Sequence, residues 1–197
     1  MDFRFEIMTD VSINKQARLS LHLTSSSVAT LGHSSELDCS RLSPHFTLGE
    51  LCKTSAKTPD GNIPSHVHIE NLKRLTKWLE MLREEWNRRY GDVRCQKEDG
   101  RCSIEEPIII NSAYRSPQVN KAVGGAAMSN HLTGCAVDIR CLGKEQAIRY
   151  ACILLDISDE SQEDFDELLI EQSAKSIWVH FAVRPSENRR RVDFLKK

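Results

Sequence analysis

The sequence predicts an α+β fold in which a small, mostly antiparallel sheet carries helices on one face. The first observation is a long stretch, "HIENLKRLTKWLEMLREEWNRRY", whose apolar residues recur at helical spacing. The second is a set of short apolar runs that are typical of strands. Two of these runs follow each other closely enough to form a hairpin, which favours an antiparallel sheet covered by helices.

The first half of the domain begins at about Phe46. In "FTLGELCKTS", Thr47 and Glu50 form a capping box, which predicts a short helix. The turn-rich "TPDGNIPS" precedes the long helix, whose apolar stripe we interpret as core. Pro107 then precedes "IIINSAY", a run that predicts a buried strand, and "SPQVNKAVGG" predicts a turn or short helix ended by glycines.

The second half of the domain predicts three strands and one helix. "GCAVDIRC" is typical of a short strand, and "KEQAIRYACILLDI" is typical of a second helix. "FDELLIEQ" and "SIWVHFAV" are two strand-like runs separated by a few small or polar residues. We therefore expect these two runs to pair as a hairpin.

Composition sets the domain organisation and excludes some partners. The chain has 197 residues and a formal net charge of −1, which suits one domain and gives no reason to expect a nucleic-acid partner. Residues 1–44 are rich in Ser and Thr without a sustained period, so we interpret them as a poorly ordered extension before a domain at 45–197. The basic run Arg189 to Arg191 is expected to be a solvated surface.

We see no signal for membrane insertion or secretion in the sequence. No run approaches the ~18 apolar residues of a membrane helix, and the N-terminus lacks an apolar signal region. The seven cysteines are accordingly expected to be reduced thiols. Cys95 and Cys102 bracket a polar loop, and a disulfide between them is the alternative in an oxidising compartment.

Three residues are candidates for metal chemistry: His131, Asp138 and His180. Two imidazoles and one carboxylate are a ligand set that catalytic zinc takes when it keeps a fourth position open for water. The spacing is not that of a helical metal motif, so a loop and two strands would have to converge. On spacing alone, a lone strand histidine is more often packed or solvent-facing than a ligand.

The surrounding residues carry a resemblance to a known family. The segments "SAYRS", "VGG", "SNH", "VDI" and "WVH" occur in this order. They resemble the motifs of the zinc D-alanyl-D-alanine carboxypeptidases and L-alanyl-D-glutamate endopeptidases, which share a fold with the hedgehog signalling domain. The resemblance runs from about Phe46 to about Phe194 and is closest to small stand-alone members from gut bacteria and their phages.

The resemblance implies roles for several residues. His131, Asp138 and His180 correspond to the ligands of one zinc ion. Arg115 resembles the arginine that holds the substrate's carbonyl oxygen or carboxylate, with a structural ion pair as the alternative. Ser129 and Tyr114 resemble residues near the substrate, although a hydroxyl that bonds the backbone of a turn explains Ser129 equally well.

The chain also departs from the family pattern. Ala113 stands where the family prefers glycine, and Ile177 and Trp178 stand where related peptidases place a proton-transferring residue. Glu171 is the best substitute as general base. A four-residue turn would pair it with Trp178 and give it the same face as His180, whereas a three-residue turn would turn it away.

Other nearby polar residues are weaker candidates. Asp166 and Glu167 precede Glu171 and rank below it as the base. His66 and His68 are spaced so that they could line the cleft, but exposure is the more frequent state of such residues. A surface carboxylate at the end of a strand remains the alternative for Glu171 itself.

The expected function is that of a zinc-dependent peptidase acting on peptidoglycan stem peptides, as a carboxypeptidase or an endopeptidase. The alternative is a non-catalytic zinc module of the same fold that binds the cell wall or a protein partner. We expect a monomer. Because no signal peptide is visible, the resemblance implies synthesis in the cytoplasm and action on the wall after release, as for a phage lysin.

Overall fold

The computed structural model describes residues 40–91 and 105–197 of the chain. Within these ranges four α-helices, one 3₁₀ turn and five strands follow one another. In chain order the elements are α1 (Leu48–Leu51), α2 (His66–Tyr90), β1 (Ile110–Ser112), α3 (Pro117–Ala122), the 3₁₀ turn (Asn130–Thr133), β2 (Ala136–Cys141), α4 (Lys144–Ser161), β3 (Glu167–Gln172), β4 (Ile177–Ala182) and β5 (Arg191–Lys196).

The five strands form one sheet in the order β1-β2-β4-β3-β5. All neighbouring pairs are antiparallel except β3 and β5, which run parallel. The α+β prediction with a mostly antiparallel sheet is therefore confirmed. At the centre, β4 pairs with β2 and β3, so its residue His180 lies directly opposite Asp138 on one side and Leu169 on the other.

The helices α2 and α4 and the sheet enclose the core. Phe181 of β4 is fully buried, and its ring centroid lies 5.2 Å from that of Trp78 in α2 and 5.6 Å from that of Phe165. Burying such aromatic side chains contributes much of a core's stabilisation. Along each strand, residues that face this core alternate with residues of the opposite, polar face. The core-facing neighbours of Phe181 are Val137, Ile139, Leu168 and Val179.

Helix α2 begins and ends where its sequence provides caps. Ser65 accepts a hydrogen bond from the backbone N–H of His68, and the His68 side chain accepts one from the N–H of Ser65. This reciprocal capping box satisfies two of the donors that a helix start leaves free. Arg88 and Arg89 lie in the last turn, where positive charge complements the helix dipole.

Two strands differ from the prediction. The run "IIINSAY" forms only the three-residue edge strand β1, and Ile109 is 43% exposed, so the expectation of a buried strand was wrong in its length and burial. Strand β5 was not predicted at all. Its residues are mostly exposed, and a strand with one unpaired edge and little burial lacks the apolar alternation that marks other strands.

The arginine run is paired with carboxylates. Arg189, Arg190 and Arg191 are exposed, as expected, but Arg189 binds Asp166 and Glu167, Arg190 binds Asp159 and Asp164, and Arg191 binds Glu167. These contacts fix the connection from β4 to β5.

Parts of the sequence interpretation concern residues beyond the described ranges. Cys95, Cys102 and residues 1–39 of the predicted N-terminal extension are among them. Residues 40–44 are described and contact the start of the domain, because Arg41 bridges to Thr47 and the Leu48 N–H donates to the Ser40 carbonyl. Among the described helices, none has the length and apolar character needed to cross a membrane.

Candidate metal centre

His131, Asp138 and His180 converge on one point of the polar face. Their ligand atoms all lie within 4.8 Å of one another. His180 Nδ1 is 2.9 Å and His131 Nε2 is 3.3 Å from the same oxygen, Asp138 Oδ1. All three residues are buried. Such a cluster of two imidazoles and a carboxylate is a suitable ligand set for zinc.

The sheet positions two of these residues and a tight turn positions the third. His131 lies in the 3₁₀ turn, whose N-cap Ser129 accepts a hydrogen bond from the His131 N–H. The turn ends at Gly134 with φ of 71°, a left-handed conformation that favours glycine. A Cβ at Gly134 would lie 2.8 Å from the His68 carbonyl oxygen, so glycine also permits the turn to approach α2.

Both histidines use their second ring nitrogen for a contact that orients the ring. His131 Nδ1 lies 2.6 Å from the Ala113 carbonyl oxygen, which only accepts, so Nδ1 carries the proton and Nε2 is the metal-facing atom. His180 Nε2 lies 3.5 Å from Glu167 Oε2, and Nδ1 faces Asp138. Metal-binding histidines are held in this way by carbonyl or carboxylate partners. The residues present therefore fit a zinc ion.

Electrostatics keep the carboxylate of Asp138 ionised. Burial alone would raise its pKa, but His131 and His180 hold the pKa of Asp138 well below its usual range. Burial lowers the pKa of His131. Burial also acts to lower the pKa of His180, yet hydrogen bonds to Asp138 and Glu167 raise it to about 9. A metal therefore competes with a proton at His180.

Arg115 forms an ion pair with the metal-site carboxylate. Its guanidinium bonds Asp138 Oδ2, and its Nε donates to Ser112 Oγ at 2.8 Å. The Arg115 backbone N–H also donates to the His131 carbonyl at 3.1 Å. Arg115 thus lies beside the centre, as the resemblance implies, and it makes the structural ion pair that was the alternative role.

Glu171 lies on the same face as the metal centre. The turn at 173–176 has four residues, and Glu171 pairs with Trp178 in the register that such a turn predicts. Glu171 is buried, and its Oε2 accepts from Lys197 Nζ at 2.6 Å. Its direct partner is therefore the ammonium group of Lys197.

Glu167, a weaker candidate for the general base, is the carboxylate that contacts Nε2 of His180. It lies four residues before Glu171, so strand alternation places it on the same face. It contacts His180, and that hydrogen bond lowers the pKa of Glu167 to about 2. Asp166 precedes Glu167, so alternation places it on the opposite face from Glu167. Its side chain is fully buried and accepts hydrogen bonds from Arg189 and Asn130.

The remaining candidates have structural contacts. Tyr114 is buried in the core with its ring 4.7 Å from that of His68. Ser129 uses its hydroxyl to cap the turn that carries His131. His68 belongs to the cap of α2, and His66 is an exposed residue in the first turn of that helix.

Two histidines and a carboxylate that meet on a sheet are a ligand set typical of mononuclear zinc hydrolases. A family model described as Peptidase M15 matches residues 96–180, a segment that contains the whole cluster together with Arg115 and Glu171. This match supports the suspected relationship of the segment to the M15 zinc peptidases. A comparison with curated proteins finds no match to the chain.

Proposed function

We propose that the protein is a zinc peptidase that cleaves peptidoglycan stem peptides. The observation that carries this proposal is the convergence of His131, Asp138 and His180 within the segment that matches a peptidase family. When bound there, zinc would polarise the scissile carbonyl and lower the pKa of a water molecule toward ~7. The class of substrate comes from the motifs that resemble the D-alanyl-D-alanine and L-alanyl-D-glutamate peptidases.

The residues around the cluster divide the remaining tasks. His131 and His180 hold the ion through rings that Ala113 and Glu167 orient. Glu171 would take the proton of the attacking water, since it is a buried carboxylate on the face of the metal centre and, unlike Glu167, is not engaged with His180. Arg115 would stabilise negative charge on the substrate oxygen, provided that its guanidinium keeps donors beyond those used by Asp138 and Ser112.

The second candidate function is a zinc module that binds cell wall or a protein without cleaving it. The contact between Glu171 and Lys197 favours this alternative, because an ammonium group at 2.6 Å occupies the carboxylate that should accept a proton. In the first proposal Lys197 would have to move when substrate binds. In the second, this ion pair would persist.

The test is to measure bound zinc by elemental analysis in the purified wild-type protein and in the His180→Ala variant. His66→Ala is the matched control, because His66 is exposed and outside the cluster. We expect about one zinc per chain in the wild type and the control and little in His180→Ala, as for a three-ligand site. The same samples are then incubated with peptidoglycan and the fragments read by mass spectrometry. No zinc after reconstitution rejects both functions, and zinc without fragments supports the binding module.

A further inference from the structure

A cavity at the end of the sheet is lined by cations that have no carboxylate partner among the described residues. Its volume is about 490 Å³, and it lies between the start of α4 and the turn at 173–176. Arg140, Lys144 and Lys175 line it, and its described lining includes no Asp or Glu. The nearby Glu145 is bound by Arg149 at 2.5 Å. Within residues 40–91 and 105–197, this positive charge has no compensating carboxylate in the lining.

The other cations on the polar face are neutralised. Arg115 is paired with Asp138, Arg191 with Glu167 and Lys197 with Glu171. The cavity differs because three positive side chains face the same volume without such partners. Like charges at close range repel one another, and a bound anion would offset this repulsion. This arrangement fits a site built for a negatively charged ligand.

The cavity lies at the end of the sheet, and its lining residue Arg140 is on the face that carries the metal centre, whereas Cys141, Gln172 and Ile177 have the parity of the helix face. Arg140 lies two residues beyond Asp138 on β2, so both side chains emerge on one face. Arg140 pairs across the sheet with Trp178, which lies two residues before His180 on β4. The half-exposed ring of Trp178 thus separates the cluster from the cavity along the strands. A peptide that leaves the metal centre in this direction along the sheet reaches Trp178 and Arg140 side by side.

We infer that this cavity is a subsite for a carboxylate of the peptide substrate. The inference rests on the proposed function, and it adds where the substrate's acidic group lies. Two residues of β2 span about 7 Å, and one residue of extended peptide spans about 3.5 Å. A carboxylate in the cavity therefore belongs to a residue about two or more positions from the scissile bond.

The inference is tested by binding, so that it does not depend on turnover. The zinc-loaded Glu171→Gln protein, in which turnover is suppressed, is titrated with the synthetic peptide L-Ala-γ-D-Glu-L-Lys-D-Ala-D-Ala, with the same peptide fully amidated, and with inorganic phosphate alone, and the cavity variants are made in this background. Amide signals of Gly143 and Ala174 in the NMR spectrum report on the cavity, and Gly61 is a remote reference. Two variants change the cavity: the double variant Lys144→Gln/Lys175→Gln and the single variant Arg140→Gln. Lys57→Gln is the control, at an exposed lysine outside the cavity.

We expect the acidic peptide to shift the signals of Gly143 and Ala174 and to bind at least about fivefold more tightly than its amide, a size typical of exposed charge pairs. The double variant and Arg140→Gln should lose this preference, whereas Lys57→Gln should keep it. Equal affinity for the two peptides, or equal losses in Lys57→Gln, overturns the subsite. Phosphate that binds as tightly as the peptide also overturns it, because the site then takes free anions.

The outcomes separate the subsite from the catalytic proposal. Carboxylate-dependent binding at Gly143 and Ala174, together with a wild-type protein that cleaves nothing, supports the subsite and rejects the peptidase. Cleavage by the wild type at equal rates of the acidic and the amidated peptide supports the peptidase and rejects the subsite. Circular dichroism of each variant confirms that the fold is retained.

Discussion

The two faces of the sheet are made by alternate residues of the same strands, yet they are stabilised in different ways. On the helix face, Phe181 and Val179 are fully buried among apolar neighbours. On the polar face, His180, Asp138 and Glu171 are almost as deeply buried, but each has a charged or hydrogen-bonding partner. Apolar burial needs only volume and shape, whereas a buried charge needs a particular partner.

The partners of the polar face come from outside the central strands. Arg115 follows β1, Arg189, which binds Glu167, lies in the connection to β5, and Lys197 follows β5. The helix face is therefore stabilised by close packing with α2 and α4, and the polar face by contacts from the edges. Substitutions on the helix face should change stability, and those on the polar face should change metal binding and chemistry.

The largest effect is expected from Glu171→Gln on the polar face. A general base contributes about 10²–10⁴-fold to a rate, so kcat on a stem peptide should fall by this factor while bound zinc is unchanged. Glu84→Gln, at an exposed glutamate of α2, is the control. A wild-type kcat in Glu171→Gln would assign the base elsewhere.

Next in size is Phe181→Ala on the helix face, one residue from His180. Removing a fully buried phenylalanine should lower the free energy of unfolding by about 3–5 kcal/mol, measured by urea denaturation. Zinc per folded molecule should stay the same. Phe194→Ala, which is 50% exposed on β5, should cost much less. A selective loss of zinc without lost stability would contradict the division between the faces.

Asp166→Asn should lower the free energy of unfolding by about 1.5–3 kcal/mol at pH 7, because the buried carboxylate loses its charge-assisted hydrogen bonds with the half-exposed Arg189. Burial alone would raise the pKa of Asp166, but Arg189 and Asn130 hold it below its ordinary value of 3.8. The charged form thus stabilises the fold above that pH, and the benefit is lost as the pH falls further.

The difference between wild type and Asp166→Asn should accordingly shrink in unfolding curves recorded below about pH 4. Asp193→Asn is the exposed control. A constant difference from pH 7 to pH 3 would show that the carboxylate's charge is not the cause.

The smallest effect is expected from Glu167→Gln, which changes the group that orients His180. Loss of such a partner typically lowers metal affinity by about 10–100-fold, measurable by competition with a zinc chelator. Glu163→Gln, at an exposed glutamate, should leave zinc affinity unchanged. If Glu167→Gln also keeps the wild-type affinity, the 3.5 Å contact with His180 does not orient the ring.

The sequence predicted the parts of the fold that follow from local pattern. The apolar stripe of α2 and the turn between β3 and β4 are set by neighbouring residues, and both are present, as is the Thr47 half of the predicted capping box, in which its hydroxyl accepts from the Glu50 N–H. Strand β5 could not be found in this way. It is held by its parallel pairing with β3, a contact between residues 24 positions apart that leaves no periodic signal of its own.

The candidate site shows the same limit. His131, Asp138 and His180 were found through motifs, and the turn length placed Glu171 on the correct face. The partners of these residues were missed because they depend on three-dimensional proximity. Lys197 and Glu171 are 26 positions apart, and the Ala113 carbonyl that orients His131 is a backbone group present at every residue. Alternation along β3 could have indicated Glu167.

Strand β5 has a further consequence for how the protein behaves at high concentration. It forms one edge of the sheet and carries Arg191, Asp193 and Lys196, and charged edge strands resist pairing with another chain. The strand that it covers, β3, contains the apolar run "LLI". A shortened protein ending before Arg191 would expose that run as an open edge and would aggregate through intermolecular strand pairing.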